Sequence, residues 1–180
     1  MLQIIIPAAE LWDEGKQEFV YAKEQVLQLE HSLMSLRKWE SKWCKPFLSK
    51  DKKTDEELLD YIRCMTLTPN VKPETYYRLT ADNIRMIDKY INAPMTATTF
   101  SQDKTAKRSR EIVTAEVIYY WMFSLQIPLE CQKWHLNQLM TLIRVFNAKN
   151  APRKKRSNRD TWRQYEALNA ARKKQLNSRG

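Results

Sequence analysis

Apolar positions are densest between Glu111 and Phe146, and their period changes within that stretch. Residues 112 to 127 are apolar nearly all round a helical wheel, interrupted by Thr114, Glu116, Ser124 and Gln126, which predicts a helix buried on most sides. Beyond Pro128, Leu136, Leu139, Met140, Ile143 and Phe146 recur at spacings of three and four, with Lys133, Asn137, Thr141 and Arg144 opposite. That pattern predicts an amphipathic helix. Pro128 lacks an N–H and restricts Ile127, so the chain should break sharply there. The two helices are expected to form a core hairpin, with Trp134 mostly buried.

The remaining pattern is strand-like at the start and helical after it. Residues 2 to 6 (LQIII), 18 to 22 (EFVYA) and 25 to 30, where Leu27 and Leu29 alternate with Gln28 and Glu30, predict a small antiparallel sheet. Its first two runs would be joined by a long loop through Ala8 to Trp12 and a turn at WDEGK. Ser32 is placed to cap a helix whose Leu33, Leu36, Trp39 and Trp43 form one stripe and which must stop before Pro46. Thr54 and Glu57 have the spacing of a capping box for a helix to about Leu67. Thr80 and Asp82 open another, carrying Ile84, Ile87 and Ile91 and ending at Asn92-Ala93-Pro94. Met95 to Arg108 has loop composition, Ser109 is a candidate cap for the buried helix, and Ser157 with Asp160 for a last one.

These elements predict a mainly α protein of the α+β class, with a small N-terminal antiparallel sheet. Residues 1–148 form one globular domain, 1–31 the sheet and 32–148 helical. Residues 149–180 form a basic, partly helical C-terminal arm. A chain of 180 residues, 43% hydrophobic, with six Trp and eight Tyr, has enough apolar material for one real core. The sixteen-residue apolar run falls short of the roughly 20 residues a bilayer requires, so no membrane span is expected. No secretory signal is evident at the start. Three scattered cysteines, Cys44, Cys64 and Cys131, argue for a reducing, cytoplasmic compartment.

Composition also removes several chemistries. Only Gly15 and Gly180 are glycine, and phosphate-cradling loops, dinucleotide turns and nucleophile elbows all need glycine where the backbone turns tightly. Cys131 and His135 stand one helical turn apart, a spacing that fits two ligands of one ion, but no second pair accompanies them. A core cysteine beside a hydrogen-bonded histidine accounts for the pair better. Asp55, Glu56, Glu57 and Asp60 sit where a helix N-terminus favours negative charge, and neither histidine is tied to a nucleophile by local sequence. No catalytic, metal or cofactor residue is assigned, and an enzyme is not expected.

Charge is uneven. From Lys149 onward eleven basic residues face Asp160 and Glu166, giving +9 of the net +10 and leaving the body nearly neutral. The partner-binding candidates lie in this arm: Arg153, Lys154, Lys155, Arg156, Arg159, Trp162, Arg163, Tyr165 and Leu168. Trp162, Tyr165, Leu168, Arg172 and Leu176 share one broad helical face, which favours a protein partner. Phosphate contact with base stacking, or a merely solvated face, are the other readings.

Three stretches together carry a family likeness. LEHSLMSLRKWESKWCKPFL at 29–48, DYIRCMTLTPNV followed by NAPMTATTF, and ECQKWHLNQLMTLIRVFN running into YEALNAARKKQLNSRG resemble small tailed-bacteriophage and prophage proteins of the tail-assembly-chaperone class, across most of the chain. The resemblance implies a non-enzymatic factor, without cofactor, that binds the tape-measure protein and keeps it soluble until tail-tube subunits polymerise. It further implies self-association along that partner, residence in the cytoplasm of the infected host, and absence from the mature virion. The alternatives are a structural virion component, such as a head-tail connector or neck protein, and a nucleic-acid-binding protein acting through the basic arm.

Overall fold

The computed structural model describes residues 1–13, 15, 17–100, 112–150 and 158–176. It is α+β, as the hydrophobic pattern predicts. Strands β1 (Leu2–Ile6), β2 (Ala9–Asp13), β3 (Glu18–Ala22) and β4 (Gln25–Leu29) come first. Helices α1 (Leu33–Trp43), α2 (Asp55–Met65), α3 (Pro73–Tyr76), α4 (Ala81–Asn92), α5 (Ala115–Ser124), α6 (Leu136–Asn150) and α7 (Asn158–Leu176) follow, with a 3-10 segment at Leu129–Lys133. Two compact units, Met1–Phe146 and Asn147–Gly180, divide the chain. Among the described residues no helix is long and apolar enough to cross a membrane.

The strand pairing corrects the expected sheet. β1 pairs with β4 rather than with the second run, and β2, expected as loop, pairs with β3. Both pairings keep one frame, since Leu2↔Leu29 and Ala9↔Ala22 each add to 31. The four strands therefore form one long ribbon with a waist. Pro7 stands at that waist, where it has no N–H to give the ladder. Arg78 closes the gap, its Nη2 donating to the carbonyls of Pro7 and, at 3.0 Å, of Lys23.

Below the waist the alternation of strand side chains sends Ile4, Ile6, Leu27 and Leu29 into the core. They meet Trp39, Tyr61, Met65, Tyr76 and Ile87. After α2 the chain runs back along β4, Leu67 donating its N–H to Gln28 at 2.8 Å and Glu30 donating to Met65 at 2.9 Å. Asn83 Nδ2 donates to the Ile5 carbonyl, tying α4 to β1.

Helix starts follow local chemistry closely. Ser32 accepts from Ser35 N–H and Thr54 from Glu57 N–H, each completing a capping box. Thr80 accepts from Asn83 N–H at the start of α4. The expected caps Ser109 and Ser157 lie outside the described residues. Helix α1 is stitched to α2 through indole donors, Trp39 Nε1 to the Glu57 carbonyl and Trp43 Nε1 to Asp60, both at 2.8 Å. The carboxylates of this turn are occupied structurally: Lys42 pairs with Asp60 and Lys45 with Glu57, each at 2.5 Å. The Lys45 hydrogen bond, with that from the Thr54 backbone, holds the Glu57 carboxyl below its usual range.

The central stretch also departs from expectation. Helix α5 spans only Ala115–Ser124, Gln126 turns through the left-handed region at φ 53°, and residues 125–135 separate it from α6. Pro128 begins the 3-10 segment, and α6 starts only at Leu136. Both helices feed a second cluster around Leu33 and Leu36 of α1, with Ala115, Ile118 and Met122 from α5 and Leu136, Leu139 and Ile143 from α6. Trp134 is exposed rather than buried. Its backbone is extended, and the neighbouring His135 takes the inward position through a bridge to Ser32.

Candidate protein-binding surface

Helix α5 carries two apolar stripes where a globular helix ordinarily carries one. Ala115, Ile118 and Met122 face the core. Glu116, Tyr119, Tyr120 and Phe123 repeat the same three-and-four spacing on another side, and there Tyr120 is 68% and Phe123 66% exposed. This corrects the expectation of burial on most sides. An all-round apolar helix can bury one stripe within its own chain and leave the other for a partner.

That second stripe forms one wall of a groove of about 950 Å³. Arg37, Lys38 and Ser41 of α1 form the other wall, and Leu129 and Gln132 of the 3-10 segment close one end. Tyr119 stacks on Phe123 with centroids 6.4 Å apart and donates its hydroxyl to Gln132 Oε1 at 2.8 Å. Burial lifts the Tyr119 phenol above its usual range, so it remains a neutral donor. Among the described residues the groove is thus aromatic on the α5 side, basic on the α1 side and acidic at Glu116.

One buried carboxylate sets the position of the α5 wall. Thr114 precedes α5 but its side chain makes no capping bond. Instead Glu40, on α1, accepts the Ala115 N–H at 2.7 Å through Oε2 and the Phe47 N–H at 2.8 Å through Oε1. A carboxylate at a helix N-terminus satisfies orphan donors and complements the helix dipole. Burial nevertheless outweighs these bonds and raises the Glu40 carboxyl above its usual range, with Glu116 adding to the rise.

The polar groups considered earlier for chemistry are occupied structurally. His31 Nδ1 shares a 2.6 Å hydrogen bond with the Tyr61 hydroxyl, and its ring meets His135 edge-on at 5.1 Å. His135 Nδ1 accepts from the Asn137 N–H, so Nε2 carries the hydrogen and donates to the Tyr90 carbonyl at 3.0 Å. Burial, with His135 beside it, lowers His31 to about 4, and burial also lowers His135. Burial raises the thiols of Cys64 and Cys131. Among the described residues no group of three His, Cys, Asp or Glu side chains could hold a metal.

Of the partner-binding residues expected in the arm, Arg153, Lys154, Lys155 and Arg156 lie outside the described residues, and of Arg159 only the helical backbone is described. Trp162, Arg163, Tyr165 and Leu168 are exposed on α7. Reading the sequence did not find Tyr120, Phe123 and Leu129. The signal was present, since a helix apolar on all sides of a chain this small has one stripe more than its core requires. No family model matches the chain, and neither a curated protein nor a solved structure does so.

Proposed function

We propose that this protein is a non-enzymatic assembly factor that holds an amphipathic helix in the groove between α1 and α5. The observation that carries this is the stripe of exposed Tyr120 and Phe123 beside half-buried Tyr119, on a helix whose other side is in the core. Covering an aromatic or aliphatic side chain removes apolar surface worth roughly 1.5–3 kcal/mol each. A helix-in-groove partner would present anchors at i, i+3 or i+4, and i+7. Arg37 and Lys38 on the rim favour acidic residues beside those anchors.

The partner we propose is the tape-measure protein of a phage tail, a long helical chain that exposes apolar surface until tube subunits enclose it. The resemblance of residues 29–48 and of the ECQKWHLNQLMTLIRVFN stretch to tail assembly chaperones supports this choice, and with it a role in the host cytoplasm rather than in the virion. Co-expression tests it: the tape-measure protein should become soluble with the wild type and remain insoluble with Tyr120→Glu/Phe123→Glu. An insoluble tape measure beside well-folded wild-type protein would overturn the reading. Mass spectrometry of purified virions separates it from a structural component, because abundant peptides of this chain there would contradict a chaperone.

A second reading rests on α7, where exposed Trp162 and Tyr165 flank Arg163. Such a set can stack on single-stranded bases while contacting phosphate. Binding of an oligonucleotide that weakens steeply with salt and is lost in Trp162→Ala/Tyr165→Ala would support it.

A further inference from the structure

We infer that the aromatic face of the β2–β3 hairpin binds helix α7 of a second copy of this chain. The hairpin lies beyond the waist of the ribbon, paired only with itself in its sheet. Trp12 and Phe19 sit directly opposite each other and touch edge-on at 5.0 Å, while Tyr21 and Glu10 form the next pair along the same face. Trp12, Phe19 and Tyr21 are 53%, 69% and 63% exposed. An isolated two-stranded hairpin is only marginally stable in water, so covering this face stabilises the element as well as the contact.

Charge selects the occupant. Residues 9–22 contain Glu10, Asp13, Glu14 and Glu18 against Lys16, a net −3. Helix α7 contains Arg159, Arg163, Arg172, Lys173 and Lys174 against Asp160 and Glu166, a net +3. Its own exposed apolar side chains, Trp162, Tyr165, Leu168 and Leu176, fall with Arg172 on one face. Two uncovered aromatic faces, one on a hairpin of net negative charge and one on a helix of net positive charge, complement each other when copies meet.

Dimensions agree with that pairing. A five-residue strand spans roughly 17 Å, and the helix from Trp162 to Leu176 runs roughly 21 Å. An arginine of α7 laid beside Trp12 or Tyr21 adds cation–π attraction, and Glu10 on the same face offers it an opposite charge. The contact joins unlike surfaces, helix to hairpin, so each copy has one of each to offer. It uses neither wall of the α1–α5 groove, and it stands or falls separately from the function proposed above.

Sedimentation velocity of the full chain at low and high salt tests the inference. At low salt the mass should climb above the 21.5 kDa of one chain as concentration rises, and salt should reverse this. Arg163→Glu/Arg172→Glu should weaken association about tenfold or more, a difference of about 1.4 kcal/mol. Adding Glu10→Lys, on the aromatic face opposite Tyr21, to that variant should restore it, which unfolding of either variant could not mimic. A species that stays at one chain mass throughout, as when α7 covers its own hairpin, would overturn the inference. So would association unmoved by the arginine reversals, failure of the combined charge swap, or association abolished by Tyr120→Glu in the groove.

Discussion

The two halves of the N-terminal ribbon share one strand register and meet opposite surroundings. Below the Pro7 waist, Ile4, Ile6, Leu27 and Leu29 alternate into a core supplied by α1, α2 and α4. Above it, Trp12, Phe19 and Tyr21 alternate just as regularly and remain exposed. Pairing therefore depends on backbone and register, whereas burial depends on what another element places across the face. An alternating strand pattern identifies a ribbon without identifying its cover.

The largest expected effect exposes this difference directly. Leu27→Ala should cost about 2–5 kcal/mol, the range for emptying a packed site, while Trp12→Ala should cost under about 1 kcal/mol, as for an exposed cross-strand pair. Denaturant unfolding of both variants measures it, and equal losses would mean that the upper half is packed after all.

Acid should weaken the lower half next. His31 lies just past β4 and is lowered to about 4, so between about 6.5 and 4 the unfolded chain binds the extra proton. Stability is therefore fully present above about pH 6.5 and falls as pH drops toward 4, by at most about 3 kcal/mol. His135 shifts in the same direction and adds to the loss. Thermal unfolding from pH 7 to 4.5 checks it, and His31→Gln should flatten the slope.

Glu40→Gln comes third, at about 1–3 kcal/mol. The amide keeps one oxygen and turns an N–H toward the second backbone donor, either Ala115 or Phe47. Chemical denaturation reads the loss, and an unchanged midpoint would show that the wall of the groove is held by other contacts.

Smallest is Arg78→Met, expected to cost about 1 kcal/mol globally by removing the bonds to Pro7 and Lys23. Hydrogen exchange sharpens the comparison: amides of β2 and β3 should lose protection while those of β1 and β4 keep it. Uniform loss across all four strands would erase the distinction between the halves.

Much of the fold was legible because its rules are local. Thr54 with Glu57, Ser32 ahead of Leu33, and Thr80 ahead of α4 each satisfy donors within three residues, so the spacing alone marks a helix start. The strand partners were not legible, because LQIII pairs equally well by composition with 18–22 or 25–29, and the shared frame appears only when Ala9–Asp13 is recognised as a strand. Trp134 misled because periodicity continues through it, while the 3-10 segment before it shifts the phase and sends His135 inward. Of the binding surfaces, the arm was visible as charge and its aromatic face as spacing. The groove was hidden because the excess apolarity of 112–127 reads as deeper burial until α1 is seen to cover one side only.

Glu40 also bears on the order of folding. Its bond to Ala115 spans 75 residues of chain, far longer than the capping and α1–α2 contacts, which span three to eighteen. Closing a loop of that size is entropically slow and waits for the shorter-range structure to form. The wall bearing Tyr120 and Phe123 should then lock after the β1–β4 pairing and the α1–α2 contacts, late in folding like α4, whose Asn83 bond to Ile5 spans 78 residues. Weakening Glu40 should accordingly quicken unfolding far more than it delays refolding. A groove attached by a late, long-range bond can open slightly to admit a helix without disturbing the β1–β4 pairing or the contacts between α1 and α2.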